Sequence, residues 1–308
     1  MREAAFLEII NSTLTDSSFI GDDCAYLKEY GLTVTQDTLV EDVHFTLSTI
    51  SPYLLGKKSV NVNLSDIAAS ASQPLFITVS LSLPSEIEES FVKEFYKGID
   101  SVCIKHNVKV IGGDLTASDN VVVSITAIGK KLCEIEVSRS YAKQGDLIVT
   151  TGYHGDSAGG LKLLQQNKNS SEYLIQKHCS PIARLEKSKI LVSKAKSLGI
   201  NKLAMMDTSD GLGDAIYKLS KGCGYEFEVD YAKIPVSDEL KQNFPDDYMN
   251  LVMWGGEDFE LLFTVPKALF DILDKSLFFN IGTVSSKPVS EKSEAEYNEK
   301  SFKHFKDI

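Results

Sequence analysis

Acidic side chains recur at one kind of place in this 308-residue sequence. An apolar run ends, and Asp or Glu follows at once, often after glycine. This happens at TVTQD (33–37), VIGGD (110–114), AMMDTSD (204–210) and VMWGGED (252–258). Asn63-Leu64-Ser65-Asp66 and Asp207-Thr208-Ser209-Asp210 share the form Asn/Asp-x-Ser-Asp, each just before a helical stretch. Strand ends are where folds that mix helices and strands gather ligand sites. Carboxylates converging there repel one another unless a cation is present. An oxygen-only donor set suits Mg²⁺, which commonly takes one or two carboxylates together with substrate phosphates. Taken singly, each motif has a plainer role: Ser-Asp before a helix is a good N-cap, and Asp after a strand forms turns. Five together, three with flanking glycine that permits close backbone approach, point instead to a metal-assisted phosphate site.

The composition narrows the partners. The net charge of −11 opposes nonspecific binding to nucleic acid or anionic membrane. It would also repel a free nucleotide, so metal cations must reverse the local field if phosphates bind. Five widely spaced cysteines (24, 103, 133, 179, 223) contain no C-x-x-C. They read as free thiols rather than a disulfide or zinc framework. The start MREAAFLEII has no leader pattern, and no run approaches the ~18 apolar residues of a membrane span. A cytoplasmic location is expected. No P-loop, G-x-G-x-x-G, kinase H-R-D or D-F-G, or G-x-S-x-G elbow occurs, so any use of ATP needs another fold.

The elements that must position these acids alternate. The pattern predicts helices over 2–10, 53–72, 86–106, 157–165, 183–198 and 211–221. Strands are predicted over 32–35, 76–83, 108–111, 121–129, 147–152, 203–206, 225–230 and 259–265, with LVMW (251–254) as a further apolar run ending in Gly-Gly-Glu-Asp. Residues 285–301 read as a surface loop. A break near 136 suggests two domains, 1–135 and 136–308.

In order along the chain stand GDDCAYL (21–27), QDTLVEDVHF (36–45), VNLSDIAASASQP (62–74), IGGDLT (111–116), SRSYAKQGDLIVTTGYHGDSAGGL (138–161), MDTSDGL (206–212) and WGGEDFELLFT (254–264). Together they resemble the thiamine-monophosphate kinases, within the superfamily of aminoimidazole ribonucleotide synthetase and selenophosphate synthetase. The resemblance covers nearly the whole chain, and the combination of segments makes it specific. It implies an α+β fold of two domains: an N-terminal mixed sheet with helices forming a dimer interface, and a C-terminal α/β sandwich. It implies ATP-dependent phosphorylation of thiamine monophosphate with several Mg²⁺ ions, in a homodimer. By motif, Asp23, Asp37, Asp66, Asp114, Asp207 and Asp210 match metal positions, as do Thr35 and Gln36. Gly113, Asp114, Arg139 and Ser209 match ATP contacts, and His44 and Glu257 match substrate contacts. Phe302 or Phe305, in the SFKHF tail, would cover the substrate ring. Thr35-Gln36-Asp37 stands where the family usually has Ser/Thr-Thr-Asp, so Gln36 would bind metal through its backbone carbonyl.

The implied acceptor is a phosphate oxygen, already dianionic near neutral pH because a phosphomonoester has its second pKa near ~6. No general base is needed, which agrees with only five histidines. Direct transfer without a phosphoenzyme is expected, with Asp37, Asp66, Asp114 and Asp207 as catalytic carboxylates. Asp37 and Asp114 would serve one metal group, and Asp23, Asp66 and Asp207 another. Arg139 would clamp nucleotide phosphate as a planar fork, its competing role being a surface salt bridge. His44 has the alternative of a satisfied core histidine, and Trp254 that of core packing. TGYHGDSAGGL could donate backbone N–H groups to phosphate or be a glycine-rich turn. Two other functions stay open: an aminoimidazole ribonucleotide synthetase-like activation of an amide, and a non-catalytic metal- and nucleotide-binding role.

Overall fold

The structure is a computed structural model and describes residues 2–303. Helix α1 (Arg2–Thr13) is followed by β1 (Ala25–Leu27), β2 (Leu32–Val40), α2 (Pro52–Ala69), β3 (Ser72–Leu83), α3 (Glu89–His106), β4 (Lys109–Ala117) and β5 (Val122–Lys131). These strands form one sheet in the order β1-β2-β5-β3-β4, antiparallel except for the β3–β4 pair. In β2, β3 and β5, Thr33, Leu39, Ile77, Val79, Leu81, Val123, Ile125 and Ala127 are buried, while their alternate neighbours are not. That period of two means one covered face and one open face. Helix α2 covers the inner face, with α3 packed on it. Gly56 and Gly98 let the two helices cross: a Cβ at either would strike the other helix's backbone at Phe95 or Tyr53.

The second sheet draws on β6 (Glu136–Val137), β7 (Leu147–Thr150), β8 (Lys202–Asp207), β9 (Tyr225–Val229), β10 (Leu261–Val265) and β11 (Phe279–Pro288), in the order β6-β8-β10-β7-β11-β9. Between them run α4 (Asp156–Gln165), α5 (Glu172–Cys179), α6 (Leu185–Ser197), α7 (Leu212–Cys223), α8 (Asp238–Asn243), α9 (Tyr248–Trp254) and α10 (Lys267–Asp271), with α11 (Glu291–Lys300) after β11. Both faces of this sheet are covered. Leu203, Met205, Leu261 and Phe263 join the core shared with α2 and the first sheet. Ala204, Met206, Leu212 and Leu262 join a second core with α7 and α9. Strands buried on both faces read as unbroken apolar runs, which is why LAMM and ELLFTV carry no alternation. Among the described residues, no helix is long and apolar enough to cross a membrane.

Several boundaries differ from the sequence reading. Helix α2 is capped by Ser51, whose hydroxyl accepts the Leu54 N–H, with Pro52 in its first turn. It ends at Ala69 rather than 72, where Ala71 takes a left-handed φ of 54°. Strand β3 then runs through Gln73-Pro74, because a register shift between Pro74 and Phe76 removes the need for a ladder N–H there. The run LVMW is helical, part of α9. A short apolar segment has no period long enough to tell the two apart. Helix α5, capped by Ser171, had no predicted counterpart. Residues 285–301 are not a loop but the end of β11 and α11, itself capped by Ser290.

Candidate active site

The two Asn/Asp-x-Ser-Asp motifs occupy different local structures. The first lies inside α2, where Asn63, Ser65 and Asp66 face the first sheet and β8. The second begins on the last residue of β8 and turns through Gly211, whose φ of 107° suits only glycine, into α7. Ser65 Oγ donates to Asp207 Oδ2 at 2.6 Å, so one motif holds the other. Thr35 Oγ1, from β2, donates to Asp66 Oδ2 at 2.5 Å. The Asp37 N–H donates to Asn63 Oδ1 at 2.9 Å. From the loop before β1, Asp23 completes the group: carboxylate oxygens of Asp23, Asp66 and Asp207 lie within 4.8 Å of one another.

Electrostatics make this arrangement unusual. Burial, then the charges of Asp37, Asp207 and Asp23, push Asp66 well above the ordinary carboxylate range. Burial and then Asp23 raise Asp207 to about 7. Burial, then Asp210 and Asp23, raise Asp37 to about 6. Asp23 is also raised by burial, although Arg139 opposes the shift through an ion pair of 2.5 Å. One guanidinium cannot neutralise four carboxylates. The donor set therefore fits a hard divalent cation: clustered oxygens, desolvated, and short of positive charge.

The other predicted residues divide. Arg139 sits with Asp22, Tyr217, Lys218 and Lys221 around a hollow of 420 Å³. Its Nε–H is buried with no hydrogen-bond partner among the described residues. Asp210 does not join the three-carboxylate group; Lys218 takes it at 2.9 Å and Asp214 at 2.8 Å. A larger cavity of 560 Å³ opens beside Asp37 and is bordered by His44, Ser209, Asp210, Glu257 and Phe302. Leu39, Phe45, Phe259 and Trp254 give it apolar walls. Trp254 thus lines a cavity as well as packing against the second core. His44 Nδ1 accepts the Val40 N–H at 3.1 Å, which fixes the ring at the cavity edge. Phe305 lies outside the described residues.

Two expectations do not hold within the chain. Asp114 and Gly113 are not at a strand end; they lie inside β4, the outer strand, and are exposed. Three strand spacings separate β4 from β2, roughly 14 Å. Asp114 also shares a row with Ser80, Ser124 and Thr38, on the face opposite Thr35 and Asp37. It cannot serve one metal group with Asp37 of the same chain. The Gln36 side chain points to that open face too, its Oε1 accepting from Thr126, which leaves only its backbone carbonyl for the expected metal contact. Finally, the Gly155 and Ser157 N–H groups of the TGYHGDSAGGL turn donate to Asp258, at 2.6 and 3.0 Å, so neither is offered to phosphate.

Sequence reasoning missed Lys58, whose fully buried ammonium pairs with Glu257 at 2.9 Å. The signal was available: Leu55, Lys58 and Val62 recur at helical spacing, so the lysine falls on the buried stripe.

Known proteins share this chain's sequence and fold. Residues 21–130 match the family described as AIR synthase related protein, N-terminal domain. Thiamine-monophosphate kinase of Aquifex aeolicus is 35% identical over 274 residues, covering 86% of each chain. That of Escherichia coli K12 is 33% identical over 284 residues, 89% of this chain and 84% of the relative. The solved structure of AaThiL complexed with AMPPCP and TMP superposes with a TM-score of 0.84 at 33% identity, covering 98% of this chain and 97% of that one. Shared sequence over most of both lengths, together with a shared fold, places this chain in the thiamine-monophosphate kinase family.

Proposed function

We propose that this chain transfers the γ-phosphoryl group of ATP to the phosphate of thiamine monophosphate, giving ADP and thiamine diphosphate, with Mg²⁺ as the metal. The observation that carries this reading is a buried, cation-deficient carboxylate group next to a cavity with apolar walls wide enough for a two-ring organic molecule. The relatives' names favour this over an aminoimidazole ribonucleotide synthetase-like reaction.

Asp23, Asp66 and Asp207 would hold the metal, with Asp37 between them and the cavity. Bound Mg²⁺ supplies the positive charge that lets two phosphate anions approach. Thr35 and Ser65 fix the carboxylate rotamers, so the donors are set before substrate arrives. Arg139 would direct its unpartnered Nε–H to nucleotide phosphate, and Ser209 would border the transferred group. With the acceptor bound, the apolar walls would keep water from the transferred group and limit its loss to hydrolysis. An oxygen of the acceptor phosphate attacks γ-phosphorus, the bond to the β–γ bridging oxygen breaks, and no side chain need accept a proton. His44, Glu257 and Phe302 would contact the acceptor's ring system.

We further propose that the protein is a cytoplasmic homodimer of two-domain chains, 1–135 and 136–308, with the metal group and the acceptor cavity each drawing residues from both domains. An exposed edge strand carrying exposed Val110, Ile111 and Leu115 supports an association through the open face and edge of the first sheet. In such a pair Asp114 and Gly113 would serve the partner's site. The test is production of thiamine diphosphate from thiamine monophosphate, ATP and Mg²⁺. Co-expressed Asp66→Asn and Asp114→Asn chains should recover activity that neither has alone. Absence of product from the wild-type chain would refute the activity. Absence of recovery would refute the shared site.

A further inference from the structure

We propose that Lys58 is a positioning residue for acceptor recognition: from inside α2 it holds the Glu257 carboxylate as a fixed, charged hydrogen-bond acceptor in the cavity wall, facing the N–H donors of an aminopyrimidine ring. The inference rests on the reading that the 560 Å³ cavity takes thiamine monophosphate.

Lys58 has no solvent exposure, and both Glu257 oxygens lie within reach, at 2.9 and 3.0 Å. Glu257 keeps 24% of its side chain exposed, and the cavity is what it borders. Its backbone is held as firmly. Its φ is 69°, a region a residue with a Cβ avoids, and its N–H donates to Ser209 O at 2.6 Å. Gly256 permits this, since a Cβ there would strike the Ser209 carbonyl.

The charges facing Glu257 come from three elements. Lys58 lies on α2, His178 on α5 with Nδ1 3.3 Å from Oε2, and His44 on the loop after β2. Burial and then Lys58 push His178 down to about 4, so it stays neutral and adds no second cation. Burial by itself would raise Glu257, but the Lys58 ammonium, which also donates to it, opposes that and leaves the group below its ordinary value. A carboxylate so held accepts hydrogen bonds through the whole neutral pH range. A buried ion pair is a weak source of stability, since apolar residues of equal volume often do as well. The pair's purpose is better sought in the exposed oxygens it presents to the cavity.

The experiment compares Lys58→Met, Glu257→Gln and the double variant with the wild-type enzyme, measuring KM for thiamine monophosphate, KM for ATP and kcat between pH 6 and 8.5. Lys58→Met should raise KM for thiamine monophosphate at least about tenfold and leave KM for ATP within about twofold. Its KM should also climb as pH falls, because Glu257 without its cation keeps the upward push of burial and protonates more readily, whereas the wild-type KM stays flat. The double variant should match Glu257→Gln, since Lys58 acts only through that carboxylate. It leaves no lone buried charge and serves as the measured form if Lys58→Met is not recovered folded. An unchanged KM for thiamine monophosphate in folded Lys58→Met, equal rises in both KM values, or a double variant tenfold worse than Glu257→Gln would each overturn the proposal. A wild-type chain that makes no thiamine diphosphate would instead overturn the reading of the cavity beneath it.

Discussion

Two groups of buried and half-buried acids sit a few residues from the same cavity, and they are neutralised in opposite ways. In the segment after α9, the chain supplies partners for each carboxylate. Lys58 pairs with Glu257. Asp258 accepts the Gly155 and Ser157 N–H groups at the start of α4. Glu260 takes Arg184 through both Nε and Nη2, at 2.7 and 2.5 Å, and a Thr151 hydroxyl besides. Across the cavity, Asp23, Asp66 and Asp207 have hydroxyl donors and a single arginine. Asp258 marks the middle case: backbone donors without a cation leave it raised by burial to about 8. The contrast separates two uses of carboxylates. Where the fold provides the cation, the acid ties elements together. Where it does not, the acid is held ready for charge brought from outside.

The contrast can be broken at its strongest point first. Asp66→Asn removes one metal donor and one repelling charge. Turnover should fall about 1000-fold, while the metal-free protein should melt at a higher temperature than wild type. A metal-free melting point that falls instead would show Asp66 to be an ordinary structural acid. Glu260→Gln should do the reverse: it strands the Arg184 guanidinium and costs about 3 kcal/mol of stability in urea titrations. The kcat of the fraction that remains folded should stay near wild type. A smaller effect follows from pH. Asp37 and Asp207 have folded pKa values raised to about 6 and about 7. Their share of stability is full below the unfolded value of about 3.9 and is lost as pH rises through the folded values. Buried His154 and His178, held down at about 3 and about 4, act oppositely. Their stabilising share is full above the unfolded value of about 6.5 and is lost as pH falls. The histidine contribution cancels between samples with and without metal. The rise in melting temperature caused by saturating Mg²⁺ should therefore grow from pH 5 to pH 8, and calorimetry with and without chelator checks it. A constant rise would disconnect the metal from these aspartates.

Much of this contrast was legible in the residues. Asp66 and Asp207 lie far apart in sequence, yet the shared Asn/Asp-x-Ser-Asp form linked them, although only the second stands at a helix start; Asp23 came from the family resemblance alone. Strand position was less readable. Asp37 and Asp114 look alike in sequence, each following a β-branched run, yet both lie within longer strands and face opposite sides of one sheet. Which side a strand residue takes depends on register, and a single residue of slip reverses it. The lysine at position 58 was hidden for another reason. Composition makes lysine a surface residue by default, and only a partner 199 positions away in the chain makes its burial tolerable.

Helix α2 joins the core of the first sheet to residues such as Leu191, Leu203 and Phe263. That continuity has a consequence during synthesis. When β5 leaves the ribosome, the first sheet is complete, but α2 still lacks the apolar surfaces of α6 and β8. The nascent chain must hold this helix half-covered while about 75 further residues are made, at roughly 5–20 residues per second. Folding of the first half is therefore finished by the second. Substitutions that weaken the α2–α3 crossing at Gly56 or Gly98 should show their damage first as poor yield from the cell rather than as a slow enzyme.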